Sequence, residues 1–237
     1  SYRPDIEEQQ IRALVARGAD ALLLIGHERS PEVYQFLEAQ RIPTLITWAF
    51  DGQSIRPSIG FDNRKAMRLM ALKVIELGHS NLAFISAETN QNDRAKARHW
   101  GIEDAMATSG LNPWDLHVLE TTYGIEQGAT AFEQVMKAAP QTTAVICGND
   151  VLGVGALRRA REMGVKVPQD VSITGFDDIE LAEIAYPALT TVHVPHREMG
   201  RRAGEALAKL VTDGTLIEAT ELEAHLVLRE TLAPARS

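Results

Sequence analysis

One regularity constrains this chain more than any other: short apolar runs suited to buried strands alternate with amphipathic helical patterns along nearly its whole length. The strand-like runs fall at residues 21–25, 44–47, 81–86, 117–120, 144–147 and 171–174. Helical periodicity covers 5–17, 31–40, 63–77, 94–109, 125–138 and 151–163, and a further helix at 197–212 precedes a last strand-like segment at 223–228. Continuous apolar strands need cover on both faces, which crossover helices supply. The expected fold class is therefore α/β, with doubly wound parallel sheets and right-handed βαβ crossovers.

Composition narrows the function classes. A chain of 237 residues buries roughly three quarters of its unfolded surface and needs no staples. No apolar run approaches the ~20 residues required to span a bilayer, so no membrane role is expected. The opening SYRPDIEEQQ has neither the basic region nor the apolar core of a secretory signal. The single cysteine, Cys147, has no internal partner and stands in TAVICGND, where it reads as a small hydrophobe in a buried strand. A reducing cytoplasm is the expected compartment. The formal charge of −8 matters because nucleic-acid affinity comes largely from Lys and Arg neutralising phosphates. This chain alone should bind DNA poorly, and the cluster Arg158, Arg159 and Arg161 reads as a solvated helix face.

Polar residues stand just past the C-terminal ends of the strand-like runs, the edge at which open parallel sheets bind ligands. In VPQDVSITGFDD, Pro168 ends one element, 171–174 is a short β-branched strand, Gly175 breaks it, and Asp177 and Asp178 follow. Asn149 and Asp150 follow Cys147, and IGFDN supplies Asp62 and Asn63. The loop NDRAKAR spaces Arg94 and Arg98 four apart, on one face of a helix. Such side chains both donate to and accept from polyol hydroxyls. Each has a plainer reading as well: Asn149, Asp150, Asp62 and Asn63 as helix caps, Arg98 as a surface salt bridge, Trp48 and Tyr123 as core aromatics. Two arginines at one cleft would favour a carboxylate or phosphate.

Enzyme motifs are missing: there is no GxGxxG, P-loop, HExxH or GxSxG. His193 and His196 form an HxxH interrupted by Pro195, with no acidic ligand beside it in sequence. Adjacent carboxylates such as Asp177 and Asp178 diverge and do not flank a bond as glycosidase acids do. The expectation is no catalytic residue, no metal and no cofactor.

The segment VPQDVSITGFDD with the following PALTTV, the Arg98-x-x-Gly101 pattern and the ending LVLRETLAP resemble the effector-binding domain of the LacI/GalR family of transcription regulators, across essentially the whole chain. The resemblance implies a periplasmic-binding-protein-like type I fold, with two lobes, three crossovers and a cleft between the lobes. It places 1–77 plus 193–213 in the first lobe and 78–192 plus 214–237 in the second. It assigns ligand contact to Arg98, Asp177, Asn149 and Tyr123, with Arg94 and Trp48 as further candidates, and leaves Asp150 structural and Asp178 as a cap for a helix at 179–185. Relatives open with a strand, helix and strand before the 5–17 helix, preceded by a helix-turn-helix DNA-binding domain. Neither stands here, so a natural protein longer at its N-terminus, with the first βαβ unit missing from this chain, is expected. The function implied is effector sensing in a cytoplasmic, homodimeric regulator that binds a sugar, sugar acid or sugar phosphate and reaches operator DNA through the missing domain. Met67 and Met70 are candidates for its dimer surface. The alternative is a periplasmic sugar-binding protein of a transporter.

Overall fold

The structure is a computed structural model and describes residues 4–236. Its elements run α1 (Pro4–Ala16), β1 (Leu22–Ile25), α2 (Pro31–Ala39), β2 (Thr44–Thr47), β3 (Ser58–Gly60), α3 (Asn63–Glu76), β4 (Leu82–Ala87) and α4 (Asp93–Thr108). After a 3-10 turn at Pro113–Asp115 come β5 (His117–Thr121), α5 (Ile125–Ala138), β6 (Ala144–Cys147), α6 (Asp150–Glu162), β7 (Ser172–Thr174) and α7 (Glu180–Ile184). The last are β8 (Thr191–His193), α8 (His196–Asp213), β9 (Thr220–Glu221) and β10 (His225–Val227). Every strand and helix read from periodicity forms, with ends within two residues of expectation. Three short strands, β3, β8 and β9, were not foreseen.

The chain divides into two compact units. The first comprises the residues up to Asp62, Asn90–Arg94 and Pro195–Glu223. Its sheet is all parallel, in the order β1-β2-β3-β9. Leu22 and Leu24 of β1 point into a core shared with Ile11, Val33, Leu37 and Ile46, while Leu23 and Ile25 are about half exposed. Each fully buried aliphatic side chain contributes roughly 1.5–3 kcal/mol.

The second unit comprises Asn63–Thr89, Ala95–Val194 and the residues from Ala224 onward. Its parallel sheet runs β5-β4-β6-β7, and single bridges from Thr174 to Thr190 and from Asp177 to His193 lay β8 along the β7 edge. β8 pairs antiparallel with β10, His193 opposite His225. Ala83, Ile85, Val145, Cys147 and Ile173 bury one sheet face against Phe132 and Val135 of α5 and Leu152 and Ala156 of α6. Met67 and Met70 of α3 are wholly buried, so they belong to the core and do not form the dimer surface for which they were candidates. No described helix is long and apolar enough to cross a membrane.

Candidate functional site

At the C-terminal edge of the second unit's sheet, three neighbouring segments deliver polar groups to one guanidinium. Arg98, one turn into α4, is only 5% exposed, so the surface-pair reading does not hold. Its Nε donates to Asn63 Oδ1 at 2.9 Å and its Nη1 to the Gly148 carbonyl at 2.6 Å. Its Nη2 lies 3.6 Å from Asp177 Oδ1, and its Cζ sits 3.8 Å from the centroid of the buried Phe176 ring. Such charge-assisted bonds on a planar donor fix orientation as well as charge. The Arg-x-x-Gly spacing has a packing cause. A Cβ on Gly101 would stand 2.3 Å from the Arg64 carbonyl, so only glycine lets α4 press onto α3 closely enough for Arg98 to reach Asn63.

Asp177 is presented by a tight turn. Gly175 N–H donates to Thr190 O and Asp177 N–H to Val192 O, tying the turn to β8. Asp177 and Asp178 adopt φ of 108° and 56°, left-handed conformations that cost an L-residue energy and that cluster at ligand sites. Asp178 was expected to cap the helix at 179–185, and it does not: Ile179 occupies the cap position without a side-chain bond. Asp178 instead accepts from Arg229 Nη2 at 2.7 Å and pairs with His193 Nδ1 at 2.8 Å. Burial alone would raise its carboxyl, but the Arg229 and His193 hydrogen bonds outweigh it and hold the group below the usual carboxylate range. His193 is thus a hydrogen-bond partner of Asp178, and among the described residues no group of three His, Cys, Asp or Glu side chains could hold a metal.

Asn149 caps α6, its Oδ1 accepting the Leu152 amide at 2.9 Å, which fulfils the plainer reading of that residue. Asp150 beside it is wholly buried, accepting from the Thr191 hydroxyl at 2.5 Å and the Ile179 amide at 2.9 Å. Burial chiefly, then the nearby Asp177 and Asp178, push its carboxyl up to about 7. Tyr123 is partly buried against the second unit's core. The remaining candidates are in the first unit. Trp48, at φ 63°, donates its backbone N–H to Met199 Sδ at 3.3 Å and meets Phe61 edge-on. Arg94 donates to the Ile25 carbonyl at 3.0 Å and pairs with Asp93 at 2.8 Å, so its charge is already engaged there.

Sequence reasoning missed three groups. Asn63, weighed as a polar strand-end candidate or a cap but not as a partner of Arg98, orients that arginine across 35 residues of chain. The hydroxyls of Ser86 and Thr174, at the ends of β4 and β7, are buried without a hydrogen-bond partner among the described residues. For Ser86 the available signal was a lone hydroxyl residue closing an otherwise apolar run, whereas Thr174 shares its short run with Ser172 and had no such mark. The Arg158–Arg159–Arg161 cluster lies on a surface helix face, where Arg158 bonds the exposed Glu126 and Arg159 bonds Glu133 across α5 and α6.

A family model described as a periplasmic binding protein-like domain matches residues 72–232. This chain belongs to that family. Among curated relatives of this periplasmic binding protein-like chain is the HTH-type transcriptional regulator GntR of Escherichia coli K12, 29% identical over 206 residues, 87% of this chain and 61% of the relative. The corresponding regulator of Pseudomonas aeruginosa is 31% identical over 89% of this chain and 61% of its own length. The chain therefore spans about three fifths of these relatives. Among solved structures, a LacI family transcriptional regulator from Silicibacter pomeroyi superposes with a TM-score of 0.86 at 27% identity, covering 98% of this chain and 84% of that one. The family resemblance read from the 167–178 and 98–101 segments is borne out, as is the two-lobed parallel α/β fold.

Proposed function

We propose that this chain is the effector-sensing part of a LacI-type transcription regulator, binding a small metabolite of the sugar, sugar acid or sugar phosphate class. The observation that carries the reading is the buried Arg98, oriented by Asn63 and the Gly148 carbonyl beside Asp177 at the C-terminal sheet edge. A cation and a carboxylate so held can grip adjacent hydroxyls from both sides, donating from one and accepting at the other. Arg98, Asp177, Asn149 and Tyr123 are the second unit's proposed contacts; Trp48 and Arg94 are those of the first. The effector acts only through its differential affinity for two states of the regulator, commonly a coupling of about 1–3 kcal/mol. Operator DNA would be bound by a separate helix-turn-helix domain in a cytoplasmic homodimer. The dimer surface proposed is the exposed apolar pair Ile184 and Tyr186. The relatives, which are regulators, weigh against a transporter's periplasmic sugar-binding protein.

The test is a thermal-shift screen against neutral sugars, aldonic and uronic acids, and sugar phosphates. A ligand at a hundredfold its Kd adds about 2.7 kcal/mol, a shift of roughly 2–4 °C per kcal/mol for a chain of this size. The expected result is a hit that Asp177→Asn removes while the variant's own melting stays cooperative. A folded chain that responds to none of these classes, or a hit indifferent to Asp177→Asn, overturns the assignment.

A further inference from the structure

We propose that Asp150 is the positioning residue of this site: its buried carboxyl locks the 175–179 turn that sets Asp177 beside Arg98. The inference rests on the effector-site reading for its consequence, and on geometry for its substance. Asp150 opens α6 and grips the turn at both ends. Its backbone N–H donates to the Phe176 carbonyl at 2.8 Å, and its Oδ2 accepts the Ile179 amide at 2.9 Å. Its Oδ1 accepts the Thr191 hydroxyl on β8 at 2.5 Å, a short bond that ties the carboxyl to the neighbouring strand. The carboxyl also fills the space under the turn, because a Cβ on Gly175 would lie 2.3 Å from Asp150 Oδ1. Gly175 is therefore required by this carboxyl as much as by the backbone. Between the two gripped points lie Asp177 and Asp178, both at positive φ, which relax unless held.

The charged groups facing Asp150 fix the sign of the proton linkage. Asp177 and Asp178 on the turn both disfavour its ionisation, the Cys147 thiol at the end of β6 is a further neighbour, and Asp178 is met in turn by Arg229 and His193. Burial and these carboxylates push Asp150 up to about 7, well above the ordinary carboxylate range. An opened turn exposes Asp150 to water and returns it to that range, so the closed turn binds the proton more tightly than the open one. Linkage then makes closure firmest below the ordinary carboxylate range and weakens it progressively as pH rises to about 7, above which both states are ionised and no further change follows. Above that point an ionised carboxylate is buried against two others. Effector affinity should follow the turn and fall between pH 6 and 8.5.

The experiment is amide hydrogen exchange on the full chain at pH 6.0, 7.0 and 8.5, corrected for intrinsic rates, for wild type, Asp150→Asn and Asp150→Ala. Expected for the wild type is a loss of protection at 175–179 of roughly ten-fold or more between pH 6.0 and 8.5, with β4 amides unaffected. Asp150→Asn, which copies the protonated carboxyl, should keep the turn protected at every pH. Asp150→Ala should expose it at every pH. The proposal is overturned if wild-type protection at 175–179 is indifferent to pH, if Asp150→Asn titrates like the wild type, or if Asp150→Ala loosens β4 as much as the turn. The sugar panel run alongside separates the two readings. If no sugar shifts the wild type, the effector assignment fails while exchange still decides the role of Asp150. If a sugar binds, its Kd should rise with pH in the wild type and stay level in Asp150→Asn.

Discussion

Arg98 shows what a single side chain can and cannot announce in a sequence. Its place on a helix and its spacing from Gly101 were legible; its burial and its bonds to Asn63 and Gly148 were not, because those partners are 35 and 50 residues away. The same distance hid Arg229 as the partner of Asp178, which local logic made a helix cap. Lysine would keep the charge at position 98 but supplies a compact ammonium in place of a planar fork. It cannot serve Asn63, the Gly148 carbonyl and Asp177 together while stacking on Phe176. Losing one or two such charge-assisted bonds costs about 1.5–3 kcal/mol each. Arg98→Lys should therefore weaken any sugar found in the screen by tenfold or more, measured by calorimetry. Unchanged affinity would remove Arg98 from the site.

Among the elements, those long enough to show a period were readable and those held by their neighbours were not. β3, β8 and β9 have three residues or fewer, and each exists because a partner strand offers a ladder: β2 and β9 for β3, β10 for β8. The equally short β7 and β10 were readable because each lies inside a longer strand-like run, 171–174 and 223–228. The contact of α4 with α3 was half legible, since a mid-helix glycine marks a close approach without naming what approaches. Gly101→Ala should drive a methyl into the Arg64 carbonyl, cost about 1–3 kcal/mol and displace Arg98 from Asn63. Gly200→Ala is the matched control, because a Cβ there, in the second turn of α8, meets nothing within 4 Å and helix propensity favours it by up to ~1 kcal/mol. Urea midpoints moving in opposite directions are expected. A neutral Gly101→Ala would mean that the two helices can separate without consequence.

For the whole molecule, alternation along the chain was enough to give parallel α/β architecture, because it dictates which faces need cover before any contact is known. Surface association was less legible, since an apolar side chain in a sequence does not say whether it is inside. Met67 and Met70 are inside, whereas Ile184 and Tyr186 are 75% and 80% exposed at and just past the end of α7. Tyr186→Glu at this proposed dimer surface should shift sedimentation equilibrium toward monomer and leave the melting of the monomer unchanged. A dimer as tight as the wild type would place the interface elsewhere. One boundary of the first unit has a different consequence. Among the described residues β1 is bonded on one side only, to β2, and it turns Leu23 and Ile25 toward solvent. An open strand edge flanked by greasy side chains, even with its Ile25 carbonyl held by Arg29 and Arg94, is adhesive to any extended peptide, so storage at high concentration should promote fibrillar clumping of this chain, and Leu23→Lys with Ile25→Lys should keep its solutions clear.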